Sequence, residues 1–236
     1  MNVCFLSALS VESDFLFDNL DVLTQRFFVY DNKKFTEIDE SRVYSVSSEQ
    51  TREYYDTLTK SFVFVITYFN NRMSLINTGV GLGRSFIASK LLNLFKDDNT
   101  KIINIGFCGS IDPSLKIGDT VLVETVSYIK NTVDNIVDSK STQEIQFDGI
   151  KTGLLSCNNF AHIDDKLRYQ DMFMNSENDI RCVDMELYSQ ASLFANIYSV
   201  KVVSDDLTNS NISTIFGDEY FMEKYSKIMQ NLLYSL

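Results

Sequence analysis

The stretch from Met73 to Ser110 reads MSLINTGVGLGRSFIASKLLNLFKDDNTKIINIGFCGS. Met73 to Asn77 is a short apolar run of strand length, and Gly79-Val80-Gly81-Leu82-Gly83-Arg84 then turns. Ser85 to Phe95 carries Phe86, Ile87, Leu91, Leu92, Leu94 and Phe95 at helical spacing. Lys101 to Ile105 reads as a buried strand, and Gly106 to Gly109 as a second glycine turn at its end. Strand, glycine turn, helix, strand, glycine turn is the grammar of an α/β sheet.

The same alternation continues outward. Ser61 to Phe69 precedes Met73 to Asn77 across Asn70-Asn71, a pair that tolerates positive φ and predicts a hairpin. Val3 to Ala8 reads as a buried strand and Val11 to Leu20 as a helix. Thr120 to Val126 is another strand. Ile180 to Val183, a helix over Glu186 to Ala195, and Ser199 to Val203 predict a β-α-β unit, and Glu219 to Leu233 closes the chain as an amphipathic helix. Asp31 to Lys60 is polar and predicts only an exposed excursion. The expected fold is α/β, one domain over residues 1–236, with a central mixed, largely parallel twisted sheet flanked by helices. Such sheets hold ligands at the carboxyl ends of their strands.

Composition narrows the function. The 236 residues are 44% hydrophobic and 22% charged, which suits a globular core. The longest apolar run, from Phe62 to Ile66, falls far short of the ~20 residues of a membrane span. The net charge of −11 argues against a nucleic-acid partner, which needs a cationic face. The first residues lack a basic region and a cleavage site, so a cytoplasmic location is expected. Cys4, Cys108, Cys157 and Cys182 have no paired spacing and read as buried free thiols. With one histidine, they leave few ligands for a metal site, and none is expected.

The glycine run at Gly79 fails as a dinucleotide fingerprint because its sixth position is Arg84. It fails as a P-loop for want of the lysine and hydroxyl pair. Gly106-Phe107-Cys108-Gly109-Ser110 repeats the theme at the next strand end, so the two runs can line one cleft. Acidic residues stand at three strand ends: Glu12 after the first, Asp184 and Glu186 in Val183-Asp184-Met185-Glu186, and Asp205 in Ser204-Asp205-Asp206. Acids are also ordinary near helix N-termini, where the dipole favours them. His162, the sole histidine, leaves a Ser-His-Asp mechanism only if it serves itself, and it reads as a surface residue. Met185 and Phe160, taken alone, read as core.

Taken in order, these motifs resemble the nucleoside phosphorylase/nucleosidase superfamily. They are Thr78-Gly79-Val80-Gly81, then Ile103 to Ser110 with Leu115-Lys116-Ile117-Gly118-Asp119, then Val183 to Glu186, then Val203-Ser204-Asp205. The branch most similar is the bacterial 5′-methylthioadenosine/S-adenosylhomocysteine nucleosidases. The resemblance implies cleavage of a purine N-glycosidic bond with no cofactor, a small nucleoside as substrate and a homodimer as the assembly. It implies that Asp205 protonates the base and Glu12 activates water. Glu186 would hold the ribose hydroxyls and Met185 would pack on the sugar. Phe160 would stack on the base, Leu9 and Phe216 would wall the 5′ pocket, and Thr78 would sit near the nucleophile or ribose. Gly79, Ser204, Cys108 and Gly109 complete the expected binding set.

The chemistry fits those roles. Glycosidic cleavage passes through an oxocarbenium-like state, which needs a proton for the leaving base and negative charge near the sugar. Phosphorolysis would instead need a cationic cradle. The superfamily's phosphorylases place an arginine where this chain has Asn104, and another in the loop that here reads Ala8-Leu9-Ser10-Val11-Glu12. Hydrolysis is therefore the expected reaction. The alternatives are a purine or uridine phosphorylase using Arg84, and a non-catalytic nucleoside-binding protein. Phe107, Asp184 and Ile129 to Thr132 depart from the superfamily's pattern.

Overall fold

A computed structural model describes residues 2–48, 51–69, 72–131, 136–158, 161, 163–173, 179–208 and 217–236. The strands are β1 (Val3–Ser7), β2 (Thr24–Asp31), β3 (Lys34–Ile38), β4 (Val43–Ser47), β5 (Arg52–Asp56), β6 (Val63–Tyr68), β7 (Met73–Asn77), β8 (Lys101–Ser110), β9 (Thr120–Asn131), β10 (Ile136–Ser141), β11 (Ile150–Ser156), β12 (Ile180–Asp184) and β13 (Ile197–Asp205). The helices are α1 (Asp14–Asn19), α2 (Leu82–Phe95), α3 (Ile163–Phe173), α4 (Leu187–Ala191) and α5 (Glu219–Ser235).

Among the described residues eleven strands form one mixed sheet. β1 lies at its centre, parallel to β7 and to β8. β6, β2 and β3 extend one wing by antiparallel pairing. On the other side β8, β13, β9, β11 and β12 pair in turn, and β12 returns to β8. This ring is a barrel-like closure within the α/β fold.

β8 is the pivot. Its first half pairs with β1 and its last residues with β12, while β13 runs beside nearly its whole length. Its side chains are apolar on both faces because both are covered. Ile102 and Cys108 join the core under α2 and α4, whereas Ile103, Ile105 and Phe107 join the core under α1 and α5. α5 buries Phe221, Tyr225, Met229, Leu232 and Leu233, one stripe at helical spacing. No helix among the described residues is long and apolar enough to cross a membrane.

The structure corrects the reading of several elements. Gly106 to Gly109 is not a turn: the strand continues to Ser110, bending at Gly106 (φ 145°), because β12 and β13 pair with it there. The β12–α4–β13 unit is not a parallel β-α-β. Both strands neighbour β8, but β12 runs antiparallel and β13 parallel to it. α4 ends at Ala191, four residues short of the expected Ala195. The expected helix over Val11 to Leu20 divides into a 3-10 turn at Ser10–Glu12 and α1, because the Glu12 side chain folds back on its own turn. Within the polar excursion, β4 and β5 form a second, two-stranded sheet. Arg42 secures it, donating from Nε and Nη2 to the buried Asp56 carboxylate at 3.1 and 2.8 Å. The Asn70-Asn71 turn lies outside the described residues, although β6 and β7 pair antiparallel on either side of it.

Candidate active site

The strand ends of β1, β8, β12 and β13 surround a cavity of about 190 Å³. Glu12, Glu186 and Asp205 all reach its wall, together with Leu9, Met185 and Phe107. Each acid is held by local backbone geometry.

Glu12 follows β1 through the 3-10 turn and is 3% exposed. Its Oε2 accepts from the Ala8 and Leu9 N–H groups at 2.8 and 2.9 Å, and its Oε1 from the Phe107 N–H at 3.0 Å. The carboxylate fills the space that a side chain at position 106 would need. A Cβ on Gly106 would lie 2.5 Å from Oε1. Burial pushes the Glu12 carboxyl above its usual range, against the opposing pull of the Lys201 charge and the three N–H groups.

Glu186 sits at the junction of β12 and α4. Its Oε1 accepts from the Gly81 N–H at 3.0 Å and its Oε2 from the Met185 N–H at 3.3 Å. Gly81 has φ 98°, a conformation that favours glycine. Burial, reinforced by the neighbouring Asp184 charge, raises Glu186 to about 8.

Asp205 ends β13 just past a register shift that turns it toward the cavity. Its Oδ2 accepts from Ser204 Oγ at 2.8 Å and its Oδ1 from the Leu207 N–H at 3.1 Å. Gly109 makes room for it, since a Cβ there would lie 3.1 Å from Oδ1. Cys108, Gly109 and Ser204 line the same cavity.

The structure does not bring Thr78 or Gly79 to this wall. The fully buried Thr78 hydroxyl donates to the Gly79 carbonyl at 3.0 Å. Gly79 instead lies under the Arg84 side chain and beside Phe62. Phe160, Phe216 and His162 lie outside the described residues. Arg84 is engaged: its guanidinium pairs with Glu53 of β5 and lies 4.5 Å from the centre of the Phe62 ring. Phe107, which departs from the superfamily's pattern, lines the cavity. Its ring packs partly against α5, at 4.5 Å from Tyr225 and 5.6 Å from Phe221.

One residue the sequence reading missed lies beneath the acids. Lys201 of β13 is 1% exposed, and its Nζ stands 3.1 Å from Asp184 Oδ2. Asp184 also accepts from Ser156 Oγ at 2.5 Å and from the Leu187 N–H at 3.1 Å. Burial works to lower the lysine's pKa, but the charges of Asp184, Glu186 and Glu12 outweigh it and hold it above its usual value. The available signal was a single charge inside the apolar run Ser199-Val200-Lys201-Val202-Val203.

Residues 39–153 match the sequence model of the phosphorylase superfamily. Solved structures are similar to this chain in fold over its whole length. A Helicobacter pylori 5′-methylthioadenosine nucleosidase variant, with 5′-methylthioadenosine in its active site, aligns at TM-score 0.67 and 13% identity over 100% of this chain and 99% of its own. The Neisseria meningitidis 5′-methylthioadenosine/S-adenosylhomocysteine nucleosidase with methylthio-immucillin-A gives 0.64 and 17%, over 100% and 99%. The Helicobacter pylori futalosine hydrolase gives 0.68 and 14%, over 100% and 98%. At these identities the likeness is one of fold. No curated protein sequence matches the chain.

Proposed function

We propose that this chain is a phosphorylase-superfamily member and a purine nucleosidase. It hydrolyses the N-glycosidic bond of 5′-methylthioadenosine, S-adenosylhomocysteine or a related adenine nucleoside to free base and sugar. The observation that carries the reading is the gathering of Glu12, Glu186 and Asp205, far apart in sequence, around one cavity.

Asp205 gives its proton to the purine nitrogen as the base leaves. Glu186 holds the ribose hydroxyls, and the Glu12 carboxylate stabilises the cationic sugar. Water bonds to the anomeric carbon and passes its proton to Glu12. Met185 packs on the sugar, and Phe160 and Phe216 take the base and the 5′ substituent in the same reading. The buried Lys201 charge opposes the burial that raises Glu12 and Glu186.

Water is favoured over phosphate as nucleophile by two observations. Glu12 already occupies the three N–H donors that would otherwise suit an oxyanion. Arg84, the cation of the alternative reading, is committed to Glu53. The reading also takes residues 1–236 as one domain that works as a cytoplasmic homodimer.

Chromatography of products from a panel of nucleosides, with and without phosphate, tests it. Free adenine is expected at equal rates in both buffers. Asp205→Asn is expected to slow release at least ~100-fold, the scale of a lost general acid. Turnover that begins only with phosphate would point to a phosphorylase, and ligand stabilisation without product to a binding protein.

A further inference from the structure

We propose that Tyr225 is a positioning residue for Glu12, acting from the C-terminal helix through the main chain of the 3-10 turn. This rests on the part given to Glu12 above.

Tyr225 is 1% exposed in the core between α5 and β8. Its hydroxyl donates to the Glu12 carbonyl oxygen at 2.8 Å, across 213 residues of sequence. Its ring lies 4.5 Å from that of Phe107, and the Phe107 N–H donates to Glu12 Oε1. Glu12 is thus gripped at both ends by one bracket: the phenol at its main chain, and the residue whose ring packs against that phenol at its carboxylate. The other two donors, Ala8 and Leu9, belong to the same loop and move with it. Phe107 and Tyr225 tie that loop to β8 and α5, elements fixed by the core. A phenylalanine would fill the same apolar space. What the hydroxyl adds is a directional hold on one carbonyl, and a misplacement of about 1 Å is enough to cost a reacting group much of its rate.

The proposal is tested with Tyr225→Phe, which keeps the ring, alone and combined with Glu12→Gln. The expected result is a fall in kcat of about tenfold with KM within about twofold, the scale of one lost buried hydrogen bond. In the Glu12→Gln background the same change is expected to have no further effect. Unchanged kcat, or an equal loss in both backgrounds, would overturn the proposal, because a purely packing role acts regardless of the carboxylate.

A second measurement needs no turnover. Carbon-13 NMR of the Glu12 carboxyl, assigned by its loss in Glu12→Gln, follows its titration. Tyr225→Phe leaves Lys201, Asp184, Glu186 and Asp14 in place around the turn. It is expected to raise the midpoint, because a looser turn weakens the N–H donors that oppose burial. An unmoved midpoint would count against the proposal. If the wild-type protein cleaves no nucleoside, the functional reading fails and this titration alone decides the role of Tyr225.

Discussion

A carboxylate taken out of water needs a cation, a set of donors or a proton. The three acids around Lys201 use all of these. Asp184 takes the cation directly, Glu12 takes three backbone N–H groups, and Glu186 takes two donors and a raised pKa. The Glu186 shift has a definite consequence for stability. Its ordinary value is 4.5 and its folded value about 8, so between those limits the folded protein holds a proton that the unfolded chain has released. Stability from this group is present at low pH and is lost as pH rises toward about 8. Glu186→Gln removes the titration, so the variant is expected to lose less stability than wild type between about pH 5 and 8. Denaturant unfolding across that range measures it; parallel curves for the two proteins would refute the assignment. At this scale the sequence was most legible where charge meets a strand end. Glu12, Glu186 and Asp205 stood out because an acid at the end of an apolar run is costly to bury without a donor, a cation or a task. Lys201 did not, because a charged residue inside a strand takes its meaning only from partners on other elements.

β8 shows what determines an element when local and tertiary preferences conflict. Two glycines within four residues predict a turn, since glycine weakens a strand. Pairing with β12 on one side and β13 on the other keeps the segment extended. Gly106 then acts as a bend that leaves room for the Glu12 carboxylate. A methyl group there meets both a φ of 145° and an oxygen at 2.5 Å. Gly106→Ala is therefore expected to cost about 1–3 kcal/mol of stability, the usual range for overpacking. Activity is expected to fall more steeply than stability, because what must move is Glu12 itself. Thermal unfolding and kinetics on one preparation compare the two; full activity would contradict the described contact. The β4–β5 sheet marks the opposite limit of legibility. Its strands are largely polar, β4 exposed and β5 half-buried, and what secures them is the Arg42–Asp56 pair, fourteen residues apart, which no periodicity announces.

At the scale of the whole molecule, the α/β class and the order of motifs were readable because each motif marks a strand end. The ring of β8, β13, β9, β11 and β12 was not, because closure depends on the relative direction of strands that are distant in the chain. That ring brings the ends of β12 and β13 to either side of β8, and so sets Glu186 and Asp205 around the cavity that Glu12 enters from β1. In the proposed reaction, negative charge on this wall favours a cationic sugar and disfavours an incoming dianion. In the proposed reaction water, activated at Glu12, supplies the new oxygen on the sugar. Turnover of 5′-methylthioadenosine in oxygen-18 water, with phosphate present, tests this most directly by mass spectrometry of the sugar. One oxygen-18 atom in the released sugar and no sugar phosphate are expected. A sugar 1-phosphate without the label, or no cleavage at all, would contradict the proposed reaction.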